Sequence, residues 1–167
     1  MKKEEIIKRF LVKKNQEILI EKYLELLIDY NFHTNLVGKS TLFQPWNSHI
    51  LDSLQIISFI KNKNNSILDM GTGAGLPGII LNIFGCKNVT LVDSNGKKIK
   101  FLKHINAEMS LGIRLLLTRL EKVKNLKFDI LTSRALANLD KLFTYSQKFL
   151  KKNTVLIFLK GKTVNEE

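Results

Sequence analysis

From residue 66 onward, apolar runs of four to six residues alternate with stretches whose apolar positions recur at the helical period. The pattern predicts strands near 66–70, 88–93, 113–118, 127–132 and 153–159, with helices near 78–85, 96–110 and 138–151 between them. Strands that alternate with helices predict an α/β fold with a mainly parallel sheet and helices on both faces. The last helix is marked most clearly: Asn138 is a capping residue, and Leu139, Leu142, Phe143, Ser146, Phe149 and Leu150 follow the period. Ahead of the alternation, residues 3–31 read as helix in two segments meeting near Lys14 and Asn15. Leu19, Tyr23, Leu26, Leu27 and Tyr30 form one apolar face there. Asn31–Gln44 shows no sustained period and reads as a loop. A further helix opens at Pro45 or Asn47. Its His49, Asp52 and Ser53 share a polar face apart from Ile50, Leu54, Ile57 and Ile60. That trio is either a hydrogen-bonded set on the helix surface or part of a site. The chain thus divides into an N-terminal helical cap, 1–62, packed on a core of 63–167.

With 167 residues and 44% hydrophobic content, the chain is long enough for one domain with a real core. No run approaches the roughly 20 apolar residues of a membrane span, and Met1-Lys-Lys-Glu-Glu-Ile lacks the core of a signal peptide. The expectation is a soluble, cytoplasmic monomer with no membrane partner. The lone Cys86 excludes an intramolecular disulfide and reads as packing. No Cys/His cluster suggests a metal. A net charge of +12 favours an acidic partner such as RNA. The charge comes from 23 lysines and only four arginines, however, which AT-rich coding also produces, so it is moderate evidence.

The stretch Ser66-Ile-Leu-Asp-Met-Gly-Thr-Gly-Ala-Gly-Leu-Pro-Gly-Ile-Ile-Leu81 reads as a buried strand, a glycine-rich turn and a helix start. Gly71, Gly73 and Gly75 are three positions without a Cβ, and Pro77 stands where a first helical turn tolerates a missing N–H. Gly73 to Gly78 matches the dinucleotide pattern G-x-G-x-x-G, with Asp93 about 20 residues on. Pro77 removes an N–H that a pyrophosphate needs, and Asp69 places a carboxylate where it would repel one. The spacing Asp69-x-Gly71-x-Gly73-x-Gly75 resembles motif I of class I S-adenosylmethionine methyltransferases, whose cofactor carries an ammonium and a sulfonium and no phosphate. Asp69 is expected near the cofactor's amino end.

The other candidates sit at strand ends. Asp93 closes Val89-Thr-Leu-Val-Asp93 and can accept both ribose hydroxyls, or else cap the helix that starts at Gly96. Leu120 and Glu121 follow the third strand, where an N–H and a carboxylate can hold an adenine edge. Arg134, in Ser133-Arg134-Ala135, follows the fourth strand at the carboxyl edge, and Lys160 ends the fifth at the same edge. Lys97, Lys98, Lys100 and Lys103 are a solvated helix face or an RNA contact.

These residues are similar to those of the bacterial 16S ribosomal RNA guanine-N7 methyltransferases, the glucose-inhibited division protein B family. The shared segments are Asn35-Leu36, His49-Ile-Leu-Asp-Ser53, Leu68 to Gly78, Leu91-Val-Asp-Ser94, Lys97-Lys-Ile-Lys-Phe-Leu102, Arg119-Leu-Glu121, Ser133-Arg-Ala135 and Leu159-Lys-Gly161. The resemblance implies methyl transfer from S-adenosylmethionine to N7 of a guanine in the 530 loop of 16S rRNA, free or in an assembling small subunit. It implies cofactor binding by Gly71, Leu76, Leu120, Glu121 and Arg134, which Gly73, Gly75, Asp69 and Asp93 join on physical grounds. His49, Asp52, Lys97, Arg119 and Lys160 fall on positions facing RNA, and His49, Arg134 and Lys160 are the expected catalytic set. Guanine N7 carries a lone pair and no proton, so these residues are expected to position the reactants and not to act as a base. Ala74 stands where the family commonly has proline. The chain ends soon after Lys160, where the family adds a helix and two strands, so the C-terminal strands of a seven-stranded sheet are expected to be missing. The alternatives are a class I methyltransferase for a small molecule or protein, and a protein that binds the cofactor without catalysis.

Overall fold

The computed structural model describes residues 1–161; the last part of the core expected from the sequence, 162–167, lies outside the described residues. Helices α1 (Lys3–Arg9), α2 (Lys14–Thr34) and α3 (Leu51–Gln55) precede the first strand. The alternation then runs β1 (Ser66–Met70), α4 (Gly78–Ile83), β2 (Asn88–Asp93), α5 (Gly96–Glu108), β3 (Arg114–Leu117), β4 (Phe128–Arg134), α6 (Leu139–Ser146) and β5 (Leu150–Leu159). The strands form one sheet in the order β3-β2-β1-β4-β5, and each neighbouring pair is parallel. The chain builds outward from β1 through β2 to β3, then returns to lay β4 on the other side of β1. The carboxyl ends of β1 and β4 therefore flank the point where the order reverses, which is where open α/β sheets form a crevice.

The period-2 alternation of the strands sorts side chains to two cores. Ile67, Val89, Leu91 and Ile130 face one side and join α4, α5 and the cap residues Ile6, Ile20, Tyr23, Leu27 and Trp46 in a single apolar cluster. Leu68, Met70, Val92 and Leu131 face the other side and pack with Leu142 of α6, Phe149, Leu120 and Val123. The cap is thus part of the main core. It is also latched to the glycine-rich turn: the buried Tyr23 hydroxyl donates to the Ala74 carbonyl at 2.9 Å, and burial pushes that phenol's pKa up.

Several boundaries differ from the sequence reading. The N-terminal helix breaks after Arg9, with Leu11 left-handed, and resumes at Lys14. The buried face of α2 is Ile20, Tyr23, Leu24, Leu27 and Asn31, one residue round from the expected stripe. That helix continues to Thr34, because the buried Asn31 is no helix stop: its side chain holds both the N–H and the C=O of Val37. The helix expected from 45 to 60 is a π-helical turn, Trp46–Ile50, followed by α3 and a 3₁₀ turn, Ile57–Phe59. The helix expected over 138–151 ends at Ser146, because Leu150 already pairs with Phe128 of β4 and strand pairing overrides the helical period. Ser133 and Arg134 belong to β4 and do not follow it.

Candidate active site

Two adjoining pockets open along the carboxyl edge of the sheet, and Gly71, Lys98 and Ala135 border both. The first is lined by Asp93, Ser94, Thr118, Arg119, Leu120 and Glu121. The second is lined by His49, Asp52, Gly73, Leu76, Arg134 and Lys160, with the Leu36–Gly38 segment beside them. Parallel strands explain the convergence: each strand delivers its last residue to the same edge, so positions far apart in the chain meet around β1 and β4.

The turn after β1 is shaped by hydrogen bonds and close contacts. Gly71 and Gly73 have φ of 63° and 60°, and a Cβ on Gly71 would lie 2.4 Å from a methyl of Leu136. Asp93 ties the turn to β2. One carboxylate oxygen accepts from the Gly73 N–H at 3.0 Å and the other from the Asn95 N–H at 2.8 Å. The helix cap at α5 is Asn95, which accepts from the Lys97 and Lys98 N–H groups, so the capping alternative for Asp93 falls away. Asp93 also lines the first pocket, where each carboxylate oxygen has capacity for a further hydrogen bond. Lys148 supports the opposite wall by donating to the Leu120 and Glu121 carbonyls, at 3.2 and 2.7 Å.

Asp69 is a correction. Its side chain is 0% exposed and accepts from the hydroxyls of Thr72, at 2.5 Å, and Thr132, at 2.9 Å, and from the Gly78 N–H at 3.2 Å. It braces the turn and satisfies the first N–H of α4, and has no surface to offer a cofactor. This also removes the dinucleotide reading, because the N-terminus of α4 is already occupied by an internal carboxylate. Burial raises the Asp69 pKa to about 6 against the opposing pull of those donors and of Arg134. Gly75 is a second correction: it borders neither pocket, and a Cβ there would meet Ile79 at 2.3 Å and Leu102 at 2.8 Å, so it permits α4 and α5 to approach the turn.

In the second pocket the polar trio of the cap is largely internal. His49 is 3% exposed and Ser53 is buried, while Asp52 is half-buried. Arg134 reaches across from β4, its Nη1 3.2 Å from His49 Nδ1 and 3.4 Å from the Ser48 carbonyl. Burial first, and the Arg134 charge second, push the His49 pKa down to about 4, so the ring is neutral near pH 7. Burial raises the Asp52 carboxyl, with Arg134 opposing. Lys160 donates to the Ala137 carbonyl at 2.8 Å.

Lys97 is not brought to these pockets. It borders a separate groove with Asp29, Tyr30, His33, Thr34 and Lys100. Its neighbour Lys98 is the lysine at the site, with Nζ 3.9 Å from the Asp93 carboxylate. Sequence reasoning also missed Tyr145, Thr118 and Ser94 on the first pocket and Ser48 and Thr72 on the second. Ser94 and Thr118, next to strand ends, and Thr72, inside the glycine-rich turn, carried a signal for it.

The first pocket presents the carboxylate residues Asp93 and Glu121, which suit a ligand with hydroxyls and no phosphate. The Gly78 N–H at the start of α4 is already taken by Asp69, and the crevice continues past Gly71 into the second pocket. Fold and site together define a class I S-adenosylmethionine-dependent methyltransferase. Residues 16–167 match the family model described as GidB, rRNA small subunit methyltransferase G. A ribosomal RNA small subunit methyltransferase G of Orientia tsutsugamushi (strain Ikeda) is 40% identical over 147 residues, covering 88% of this chain and 73% of that protein. Among solved structures, the ribosomal protein L11 methylase of Lactobacillus delbrueckii subsp. bulgaricus superposes with a TM-score of 0.58 at 24% identity, over 65% of this chain and 57% of that one. An MtNAS variant in complex with S-adenosylmethionine gives 0.59 at 14% identity, over 86% and 59%. These two share the fold. The chain belongs to the GidB family and is an S-adenosylmethionine-dependent rRNA methyltransferase.

If Asp93 holds the ribose, Asp93→Ala weakens S-adenosylmethionine binding by about 1–3 kcal/mol, the scale of a lost charge-assisted hydrogen bond. Isothermal titration calorimetry checks this, and unchanged affinity removes Asp93 from the site.

Proposed function

We propose that this chain methylates N7 of a guanine in the 530 loop of 16S rRNA, presented as free RNA or in an assembling small subunit. The observation that carries the reading is the continuity of the two pockets at Gly71: one has an acceptor for an adenosine ribose, the other a polar wall of His49, Asp52, Arg134 and Lys160. The net charge of +12 suits a polyanionic substrate. S-adenosylmethionine supplies an electrophilic methyl group on a sulfonium.

The protein's part is alignment and electrostatics. Guanine N7 has an in-plane lone pair and no proton to lose, so no residue needs to act as a general base, and a His49 held neutral with a depressed pKa suits that requirement. Gly71, which borders both pockets beside Lys98 and Ala135, adds no side chain of its own to the passage between them. Arg134 ties β4 to the cap across the second pocket through Ser48 and His49. In this reading Lys160, which borders the second pocket, and Arg119, which borders the first, meet phosphates of the rRNA.

The deciding experiment is labelled methyl transfer to rRNA from cells that lack the modification, followed by mapping of the product. The expected product is 7-methylguanosine at one position in the 530 loop. Label in another base or another rRNA, or transfer only to protein or small molecules, overturns the proposal.

A further inference from the structure

Two neighbouring rows of side chains, each spaced by four residues, run along α2: Glu21, Glu25 and Asp29 are all acidic, and Leu24, Ile28 and Phe32 are all apolar. With Lys3 and Trp46 they line a groove of about 750 Å³, which shares no lining residue with the two pockets of the candidate active site. One end of this groove already holds a cation. Lys3 Nζ lies 2.9 Å from Glu17 and 2.6 Å from Glu21, and 5.3 Å from the centre of the Trp46 ring, whose N–H donates to Glu21 at 2.9 Å. Further along α2 the same chemistry recurs without the cation. Glu25, Asp29 and Phe32 stand at i, i+4 and i+7 on one face, both acidic residues are exposed, and Phe32 is 79% exposed. Among the described residues no ion pair reaches either carboxylate. Lys22, three residues before Glu25, donates instead to the Glu108 carbonyl at 2.7 Å. Within the fold this arrangement is a cost, because carboxylates four residues apart on a helix repel and an exposed aromatic ring gains nothing from water. In a chain of net charge +12, two carboxylates left without a lysine beside a bare phenylalanine mark a surface shaped for a cationic partner.

We infer that this groove docks a lysine- or arginine-rich polypeptide segment with an apolar side chain, carried by a protein of the assembling small subunit. The inference rests on the proposed rRNA substrate and deepens it, because it makes a ribonucleoprotein particle the form that the enzyme grips. A cationic side chain of the segment lies against Glu25 and Asp29 and over the Phe32 ring, as Lys3 lies against Glu17 and Glu21 and over Trp46. A neighbouring apolar side chain packs on Ile28 and Phe32, the apolar row of the same groove. Charge sets the class of partner: RNA phosphates and anionic lipid headgroups are repelled by these two carboxylates, whereas a basic segment is drawn to them. Asp29 also borders the groove that contains Lys97 and Lys100. An acidic groove therefore adjoins a basic one, a pairing that suits a particle surface on which basic protein and RNA phosphates lie side by side. Exposed charges of this kind govern encounter and selection more than total affinity, so their effect falls on capture of the particle and not on the chemical step.

The test combines photo-crosslinking with kinetics on two forms of the substrate. A benzophenone amino acid replaces Phe32 and, as a control, Phe59, which is 66% exposed and lies outside this groove. Each enzyme is irradiated with purified small-subunit particles from cells that lack the modification, and the attached molecule is identified by mass spectrometry. Position 32 is expected to join a lysine- or arginine-rich segment of a particle protein, and the control is not. The double variant Glu25→Lys, Asp29→Lys, made in the enzyme with benzophenone at position 32, is expected to lose that product. In the otherwise unaltered enzyme the same two changes raise KM for particles at least about tenfold with kcat nearly unchanged. Its affinity for protein-free 16S rRNA stays the same or tightens, because the variant is more cationic. Misfolding would instead weaken particles, free rRNA and S-adenosylmethionine alike, and the wild-type crosslink at position 32 then decides alone. Crosslinks to rRNA only, to a second copy of the enzyme, to a segment that is not basic, or to nothing overturn the inference, as does an unchanged KM for particles in a folded double variant. The methylated base is mapped on the same particles. A product away from guanine N7 overturns the functional reading and leaves the docking result standing, so the two fail separately.

Discussion

Replacing Asp69 by alanine is expected to destabilise the protein by about 3 kcal/mol or more, and to remove S-adenosylmethionine binding as a consequence. Three donors converge on this carboxylate: the Thr72 and Thr132 hydroxyls and the Gly78 N–H. All belong to buried residues, and leaving such donors without an acceptor destabilises by about 1–3 kcal/mol each, partly recovered where a hydroxyl can turn elsewhere. The loss falls on the turn between β1 and α4, which shapes both pockets. Urea denaturation of the variant measures it, and a change under about 1 kcal/mol would show that the network is dispensable.

The same residue leaves a signature in pH. Its pKa is raised from 3.8 to about 6 in the folded protein. Between these values the folded state holds a proton that the unfolded state has lost, so this group's contribution is fully present below about pH 4 and is lost as pH rises through about 6, on the order of 3 kcal/mol in all. His49 works in the opposite sense. Its pKa is lowered from 6.5 to about 4, so the unfolded state binds the extra proton and stability is lost as pH falls through that window. The two windows overlap and the slopes oppose, so in wild type these two groups largely offset one another between pH 4 and 6.5. Asp69→Asn removes one arm, and its stability should rise with pH across the same interval. A flat profile in that variant would mean that the two groups do not oppose one another as described.

Arg134→Ala is expected to lower kcat/KM for rRNA methylation by about 100-fold or more, with Arg134→Lys recovering little of it. The side chain spans from β4 to the cap, where it meets the Ser48 carbonyl and His49 Nδ1. Removing it frees the imidazole to rotate and to take either tautomer. Both contacts come from the one nitrogen Nη1, and an ammonium restores the charge on a shorter side chain that does not reach the same point between them. Folding stability should change much less than activity, because Arg134 is half-buried and its two bonds are long or shared. Steady-state kinetics paired with urea denaturation separates the two effects. A loss of activity matched by an equal loss of stability would make Arg134 structural.

Much of this molecule can be read along its chain. Alternating strands and helices point to a parallel sheet because apolar strands covered on both faces need helices in the crossovers, even though β3 passes to β4 through a 3₁₀ turn alone. Once the sheet is parallel, the residues at the carboxyl ends of the strands must share an edge. Gly71, Asp93, Leu120, Glu121, Arg134 and Lys160 could therefore be located around the site from position alone. What position along the chain does not determine is the direction of each side chain, and here tertiary packing decided. Neighbouring residues on a helix point about 100° apart, so the rotation of α5 on the sheet sends Lys98 to Asp93 and Lys97 to another groove. Asp69 precedes the glycine turn by two residues and looks like a ligand in sequence, but its burial in β1, opposite Thr132 in the neighbouring β4, turns it into the brace of that turn. Gly75 belongs to the motif, yet it is the approach of Ile79 and Leu102 that demands a residue without a Cβ. His49 became informative only when β4 brought Arg134, 85 residues away, to its Nδ1. Short-range pattern sets which elements form and which ends they present, whereas the proton on an imidazole or the partner of a carboxylate depends on long-range contacts.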